Sequence, residues 1–407
     1  MSVERSGPTL LVIGADVLRA GAFLTWARQG WRIVLADGSS QARYEHAVDE
    51  FHGVDARDEH SDVEALVRLG AGADAVLTLS DGSQITAAMV AHELGLPNAG
   101  VSAARTARSK TRQRAAAAAA GLVVPAWQEV RGPDDIRAFY AGGPRPAVLK
   151  PVDAAASTAV YRVDDEASAL ARWSEVRLFS PSATGIVEEY VPGPELSVEA
   201  VFAQKRLVFS SVTRKVTGGP QGFLELGHIV RPIAAEPDAG RAAAEVERVA
   251  RAWGLESGVM HAEFKIGKDR WTLVEAAVRP AGDLVPQLIL RTHGVDLYAL
   301  MSAVASGAQA SPAAHAADGV TSAVRFALGT GMVRRFVRPA EVLAGLSEVQ
   351  VANQLIEAGR RAGRIHGNWG RVAYALGAST DADRLDAELT TALDRLIAAL
   401  GLVADDG

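Results

Sequence analysis

Two glutamates, Glu263 and Glu275, have the spacing that points most directly to chemistry in this chain. They lie in the segment 259–279, where two apolar runs flank the turn-forming residues 267–269, a pattern typical of a β-hairpin. If the pairing is symmetric about Asp269, the glutamates face each other with Cβ atoms about 5 Å apart, where like charges repel. A cation would relieve that repulsion, and oxygen ligands favour Mg²⁺. Two separately solvated acids on an exposed face are the alternative.

Lys150 is a second candidate, because it ends an apolar run and precedes Pro151 and the small-residue run 153–158. Backbone amides of such a loop can approach phosphate oxygens, and a lysine adds a compact positive charge. A surface loop without a ligand would have the same sequence pattern.

The elements that must position these residues are predicted in two groups. Up to about residue 100, strands alternate with helices, which predicts an α/β region with a parallel sheet. The predicted strands are 9–14, 31–36 and 75–79, and the predicted helices are 17–29, 62–69 and 84–94. From Lys110 an alanine-rich helix, five strands and two helices predict an α+β region with antiparallel sheets, and an amphipathic helix is predicted at 381–400.

The first strand-to-helix turn lacks the glycine spacing of a dinucleotide fingerprint, so Gly14 is interpreted as a turn glycine and Asp37 as an ordinary loop acid.

Length and composition exclude several classes of protein. A chain of 407 residues predicts two to three domains, and 42 basic against 48 acidic residues give a net charge of −6, which does not favour nucleic-acid or membrane partners. The absence of cysteine excludes disulfides and thiolate chemistry. Since neither a membrane-spanning run nor a secretory leader is recognisable, the expected location is the cytoplasm.

An ordered set of segments resembles the ATP-grasp superfamily, and within it the carboxylate–amine ligases of the L-amino-acid ligase type. The segments are Lys110, AVLKPVDAAAST around Lys150, VEEYVPGPELSVE at 187–199, GFLELGH at 222–228, HAEF at 261–264 and VEAAVRPAGD at 274–283. The resemblance implies an ATP-grasp fold in three parts. These are an N-terminal α/β domain over 1–112, a central lobe over 113–184, and a larger antiparallel C-terminal lobe with a terminal subdomain over 185–407.

The resemblance also implies roles for individual residues. Those expected to bind ATP are Lys110 and Lys150 at the phosphates, Ser157 in the loop over them, Glu188, Glu189, Tyr190 and Val191 along the adenine, Glu195 at the ribose, and Lys215. Glu263 and Glu275 are expected to hold Mg²⁺, with Mn²⁺ as an alternative metal. Arg279, His228, Gly282 and Asp283 are expected to contact the substrate, and the expected catalytic residues are Arg279, Lys150 and His228.

Some of these residues have other interpretations. His228 could be structural, and Asp283 could cap a helix that starts near residue 284. Ala277 stands where the family generally has an Asn metal ligand, so either water or His261, acting through a water, would fill the gap. Ala154, Ala155, Ala156 and Ala159 stand where the family usually has more glycine in the loop over the phosphates, which predicts a stiffer loop.

The implied activity is ATP-dependent formation of an amide bond between an amino acid, or a similar carboxylic acid, and an amine. The reaction would pass through an acyl phosphate and release ADP and phosphate. The alternatives are a purine- or biotin-pathway type of enzyme that activates bicarbonate or formate, and a degenerate ATP-binding protein without catalysis. The expected partners are small-molecule substrates, and a homodimer is left open.

Overall fold

Three β-sheets and the helices packed on them make up the fold, which the computed structural model describes over residues 7–404. Residues 17–18, 20, 39–43, 45, 268–269, 313–318 and 364–366 within that span are not described. The predicted hairpin turn at 268–269 and part of the predicted helix start at 17–20 therefore lie outside the described residues.

The N-terminal part contains a four-stranded parallel sheet, which confirms the prediction from the alternating pattern. Its strands are β1 (Thr9–Ile13), β2 (Arg32–Asp37), β3 (Glu50–Gly53) and β4 (Ala75–Leu77), in the order β3-β2-β1-β4. The accompanying helices are α1 (Gly21–Arg28), α2 (Val63–Leu69), α3 (Gln84–Glu93) and α4 (Val101–Ala107). Strand β1 is apolar throughout because each of its faces lies in a different hydrophobic cluster.

The turn after β1 requires a glycine, as predicted. Gly14 has φ of 74°, and a Cβ at this position would lie 2.3 Å from the Ser83 hydroxyl oxygen.

Helix α5 (Lys110–Ala119) leads into a central lobe with its own four-stranded antiparallel sheet. The strands are β5 (Trp127–Val130), β6 (Ala147–Pro151), β7 (Tyr161–Val163) and β8 (Gly185–Glu189), in the order β5-β8-β6-β7, and the helices are α6 (Pro133–Gly142) and α7 (Glu166–Leu178). Since β8 pairs with β5 and β6, our proposed boundary between the central and C-terminal lobes moves from residue 184 to 189.

The C-terminal lobe is built on a large antiparallel sheet in the order β13-β12-β9-β10-β11-β14-β17-β15, with β16 and β18 also paired to β14. Its strands are β9 (Glu195–Ala203), β10 (Arg206–Gly218), β11 (Leu224–Val230), β12 (Gly258–Ile266), β13 (Trp271–Ala277), β14 (Thr321–Met332), β15 (Val349–Gln354), β16 (Arg361–Ala362), β17 (Arg371–Ser379) and β18 (Val403–Ala404). Its helices are α8 (Ala239–Trp253), α9 (Val285–His293), α10 (Leu297–Ala305), α11 (Pro339–Leu343) and α12 (Ala382–Leu400), the last matching the predicted amphipathic helix. No helix in the described part of the chain is both long and apolar enough to cross a bilayer.

The N-terminal domain and the C-terminal lobe share one hydrophobic core, whereas the central lobe has a separate one. Trp26 of α1 donates its indole N–H to the main-chain oxygen of Tyr298 at 2.9 Å, and the two rings meet edge-on with centroids 6.2 Å apart. The two larger parts of the chain are therefore packed as one body around the site described below.

We predict that His293 makes the stability of this body pH-dependent. His293 ends α9, is buried beside Phe209, and has its Nε2 3.0 Å from the Ser211 hydroxyl. Burial lowers the pKa of His293 to about 4, whereas an unfolded histidine titrates near about 6.5. The stabilisation is therefore complete above about pH 6.5 and is lost as the pH falls towards 4, by about 2 kcal/mol between pH 7 and pH 5.

The measurement is the urea unfolding midpoint at pH 7 and pH 5. A His293→Gln variant, which can still bond Ser211, should lose this part of the acid sensitivity, and His92→Gln, at an exposed position, should keep it. Equal acid sensitivity in wild type and His293→Gln would contradict the prediction.

Candidate active site

A cavity of about 500 Å³ lies where the N-terminal domain, the central lobe and the C-terminal lobe meet. Every site residue predicted from the sequence lines this cavity: Lys110, Lys150, Ser157, Glu188, Glu189, Tyr190, Val191, Glu195, Lys215, His228, Glu263, Glu275, Arg279, Gly282 and Asp283. The fold thus brings together side chains that lie up to 173 positions apart in the sequence, from Lys110 to Asp283. Their individual roles remain predictions.

The hairpin of β12 and β13 has the predicted register at its functional end. Glu263 pairs with Glu275 and His261 with Ala277, while a bulge after Glu263 shifts the pairing nearer the turn. Gln113 of α5 fixes the hairpin by bonding both the N–H and the C=O of Ala276, each at 3.0 Å. The strand pairing and the Gln113 bonds therefore hold the two opposed glutamates at the cavity wall.

Each of these glutamates has a lysine partner. Glu275, whose side chain is 31% exposed, lies 3.1 Å from Lys110 Nζ, and Glu263 lies 2.9 Å from Lys215 Nζ. Burial raises the pKa of Glu263, but Lys215 and His261 outweigh it and hold that pKa well below its usual range. Two carboxylates opposed across a hairpin offer the oxygen donors that Mg²⁺ prefers, so the residues present fit that cation.

His261 lies across from Ala277 and is engaged by two glutamates. Its Nδ1 is 2.5 Å from Glu199 Oε1 and its Nε2 is 3.0 Å from Glu263 Oε1. Burial lowers the pKa of His261, but Glu199 and Glu263 outweigh it and raise the pKa to about 10. Both ring nitrogens of His261 are thus engaged by carboxylates, and whether water alone or a water held by His261 lies beside Ala277 stays a prediction.

Lys150, at the end of β6, belongs to a buried ion cluster. Its Nζ lies 2.5 Å from Glu188 Oε1, and Arg114 donates to Glu188 Oε2 at 2.8 and 3.0 Å. Burial lowers the pKa of Lys150, and Glu188 opposes that shift only in part. Burial raises the pKa of Glu188, but Arg114 and Lys150 hold it below its usual value. Glu188 therefore fixes the lysine at the wall of the cavity, a use of its side chain that the sequence did not predict.

Lys215, on β10, contacts three carboxylates at once. Its Nζ lies 2.7 Å from Glu195, 2.6 Å from Glu225 and 2.9 Å from Glu263. Burial disfavours its charge, but the three carboxylates raise the pKa of Lys215 well above its ordinary value. Glu195, the predicted ribose ligand, is also paired with Lys265 at 3.1 Å.

Arg279 is held by the N-terminal domain. Its guanidinium donates to both oxygens of Asp81, at 2.8 and 2.9 Å, and to the Pro280 oxygen at 2.8 Å. Burial lowers the pKa of Arg279, but Asp81 raises it above the ordinary value. Nearby, Arg19 bonds the main-chain oxygens of Leu79 and Ala281. The planar forks of both arginines are therefore pre-oriented at the cavity wall.

For the activity that the sequence resemblance implies, we expect Asp81→Asn to lower kcat/KM about tenfold, mainly through a higher KM for the expected acid substrate, because Arg279 loses the anion that orients it. The lost charged hydrogen bonds should also lower the free energy of unfolding by about 1–3 kcal/mol. Steady-state kinetics and urea unfolding measure the two effects. Asp74→Asn is the matched control, since Asp74 lies in the same domain and only accepts from Thr9 N at an exposed site. Unchanged kinetics in Asp81→Asn would rule out an orienting role.

Asp283 and His228 form the far end of the cavity. Asp283 accepts two hydrogen bonds from Arg371, at 2.6 and 2.7 Å, and its Oδ2 lies 3.3 Å from His228 Nε2. Burial raises the pKa of Asp283, but His228 and Arg371 hold it well below its usual range. The buried Nδ1 of His228 has no hydrogen-bond partner among the described residues. The alternative role of Asp283 as a helix cap is wrong. The N-cap of α9 is Leu284, and no side chain caps that helix end.

The loop after β6 adopts backbone conformations that are unusual for alanine. Ala156, Ser157 and Ala159 have φ of 57°, 53° and 52°, in the region that glycine occupies at lower cost. The Ser157 hydroxyl donates to the Phe223 oxygen at 2.9 Å, which ties the loop to the C-terminal lobe. Residues 153–159 are called the phosphate loop below.

Sequence reasoning missed several residues of the cavity wall: Asp81, Arg114, Asn368 and Arg371. Arg114 was detectable, since it follows Lys110 by four positions on one helix and must share its face. Asp81 also had a signal, because it lies just beyond a parallel strand, where polar site residues gather. Asn368 and Arg371 come from the terminal subdomain, by which we mean the part of the chain from β14 to β18. No sequence motif marks these two residues.

Comparison with known proteins supports the same fold. Residues 144–287 match the family model of the ATP-grasp domain. Alanine–anticapsin ligase of Bacillus subtilis is 30% identical over 293 residues, which cover 64% of this chain and 61% of that relative. The match therefore spans less than two thirds of that relative's length.

Two solved structures extend the likeness to almost the whole chain. L-amino acid ligase from Bacillus licheniformis superposes with a TM-score of 0.78 and 19% identity, covering 97% of this chain and 98% of that one. Phosphoribosylglycinamide synthetase from Anaerococcus prevotii gives a TM-score of 0.73 and 15% identity, covering 98% and 99%. Residues 144–287 therefore match the ATP-grasp domain, and almost the whole chain has the fold of these two structures.

Proposed function

We propose that the protein is an ATP-dependent ligase that joins a carboxylic acid, such as an amino acid, to an amine. The observation that carries this proposal is the convergence in one cavity of two lysines, two opposed glutamates and a pre-oriented arginine. Lysines and paired carboxylates serve a nucleoside triphosphate and its metal, whereas a planar guanidinium suits a carboxylate or an acyl phosphate.

In this proposal the substrate carboxylate attacks the γ-phosphate of ATP, the bond to the β-phosphate oxygen breaks, and ADP leaves. The amine then attacks the acyl carbon, loses a proton and displaces phosphate. Both steps crowd negative charge, so catalysis depends on fixed cations. Lys110 and Lys150 approach the phosphates from two sides, and Arg279 holds the carboxylate and then the acyl phosphate.

Glu263 and Glu275 would hold Mg²⁺ at the phosphates. When bound, the cation neutralises phosphate charge and helps to align the groups that react. The strand residues Glu188–Glu189 with Tyr190 and Val191 would follow the adenine, and Glu195 would take the ribose.

At the far end of the cavity, His228 and Asp283 would receive the amine. Ligand atoms of Glu225, His228 and Asp283 lie within 4.8 Å of one another, so an ammonium group placed there would meet several acceptors. The buried, unpartnered Nδ1 of His228 can accept a proton from that amine.

The test is release of ADP and phosphate measured over pairs of amino acids and related acids and amines, with mass spectrometry of the products. An amide product together with ADP supports the proposal. AMP and pyrophosphate would exclude the acyl-phosphate route, and dependence on bicarbonate or formate would favour the purine- or biotin-pathway type of enzyme. Nucleotide binding without turnover over the whole panel would point to a non-catalytic protein.

A further inference from the structure

One residue of the terminal subdomain, Asn368, uses all of its polar groups at the cavity wall. Its main-chain N–H donates to the Ala156 oxygen at 2.9 Å. Its side-chain oxygen accepts from the Glu225 N–H at 3.1 Å, and its Nδ2 donates to Glu225 Oε2 at 2.6 Å. Asn368 is 5% exposed, so these bonds are shielded from water.

The first contact joins the terminal subdomain to the phosphate loop. Gly367, with φ of 71°, approaches so closely that a Cβ there would lie 2.5 Å from the Ala156 oxygen. The Ser157 hydroxyl donates to the oxygen of Phe223, the residue that directly precedes β11, the strand that carries Glu225. The loop is therefore held from two neighbouring points, both outside the central lobe.

The second set of contacts leads to the far end of the cavity. The other carboxylate oxygen of Glu225 lies 2.6 Å from Lys215 Nζ. The main-chain oxygen of Asn368 accepts from Arg371 Nε at 3.0 Å, and Arg371 also donates to both oxygens of Asp283. A continuous chain of hydrogen bonds thus connects Ala156 with the pair formed by Asp283 and His228.

We infer that Asn368 is a positioning residue that couples closure of the phosphate loop to the order of the acceptor end of the cavity. This inference rests on the proposed ligase function. The coupling would make the bound amine raise the affinity for the nucleotide, and the bound nucleotide raise the affinity for the amine. An acyl phosphate is destroyed by water, so a loop that is held shut when the acceptor end is ordered protects it.

The test variant is Asn368→Asp, which keeps the size of the side chain and one acceptor but places a second carboxylate oxygen against Glu225. We expect the affinity for the ATP analogue AMP-PNP with Mg²⁺, measured by calorimetry on the intact chain, to fall at least fivefold. Amide hydrogen exchange in the phosphate loop should become at least tenfold faster. Unchanged affinity and exchange would overturn the inference.

Asn353→Asp is the matched control. Asn353 lies in the same subdomain and donates to the Tyr374 hydroxyl at 3.1 Å, a bond that a carboxylate can keep by accepting instead. The control should leave nucleotide affinity and loop exchange as in wild type. An equal effect in both variants would mean that Asn368→Asp acts by loosening the subdomain, and would also overturn the inference.

A reciprocal exchange separates a specific bond from general damage. In the double variant Glu225→Gln with Asn368→Asp, the side-chain amide at 225 can donate to the carboxylate at 368, which reverses the wild-type bond. We therefore expect the double variant to bind AMP-PNP more tightly than Asn368→Asp alone. No recovery would count against the bond between these two side chains.

Kinetics give a further readout where turnover is found. In Asn368→Asp the KM values for ATP and for the amine should both rise, with kcat changed less, whereas a fall in kcat alone would contradict a positioning role. Since AMP-PNP affinity and hydrogen exchange need no turnover, failure of the ligase proposal and failure of this inference are distinguishable.

Discussion

Glu275→Gln is expected to lower kcat/KM at least about 10³-fold, or about 4 kcal/mol of transition-state stabilisation, without unfolding the protein. The variant keeps the shape of the side chain but removes one of the two charges proposed to hold the metal. The fold should survive because Glu275 is partly exposed and Lys110, its partner, keeps its bond to the Ala154 oxygen at 2.7 Å. Turnover and the Mg²⁺ dependence of AMP-PNP binding measure the effect.

Glu263→Gln provides the contrast. It should lose activity to a similar degree but also lower the thermal midpoint, because Glu263 is buried between Lys215 and His261. A Glu275→Gln variant that keeps normal turnover and normal metal dependence would show that the opposed glutamates are not the metal site.

Lys150→Ala is the second large effect, with an expected loss of at least about 10³-fold in kcat/KM. Lys150 is buried, so a cation fixed there acts on the phosphates with little screening by solvent, and its removal leaves developing charge uncompensated. The variant should stay folded because Glu188 retains its two bonds from Arg114.

Circular dichroism tests whether Lys150→Ala stays folded, and steady-state ADP release measures its loss of turnover. Lys205→Ala is the control, since Lys205 is exposed and its contact with Glu256 spans 3.9 Å. Near-normal turnover in Lys150→Ala would remove Lys150 from the proposed machinery.

Part of the secondary structure and the hairpin register could be predicted because both depend on local patterns, whereas β3 and α4 were not predicted. Alternating strands and helices predicted the N-terminal sheet, and the symmetric hairpin placed Glu263 opposite Glu275. The bulge after Glu263 was not predictable, because it depends on how β12 pairs on both sides at once. The pairing of β8 with the central sheet likewise depends on contacts distant in sequence.

The candidate site was predictable as a set, but not in its internal pairing. The residues named from the motif resemblance all line one cavity, yet the resemblance could not show that Glu188 pairs with Lys150 or that Asp81 pairs with Arg279. Those partners come from separate elements, and only the folded chain defines their distances. Asn368 illustrates the limit, since its bonds to Ala156 and Glu225 join residues that are far apart in sequence.

The segment that matches a family model is smaller than the part of the chain whose strands pair into complete sheets. Residues 144–287, which match the ATP-grasp family model, omit β5, the hydrogen-bonded neighbour of β8, and β14, the neighbour of β11. A recombinant fragment cut at those limits would expose two strand edges and the apolar surface that Trp26 and Tyr298 help to cover. Such a truncation would aggregate, so the activity should be sought in the undivided polypeptide.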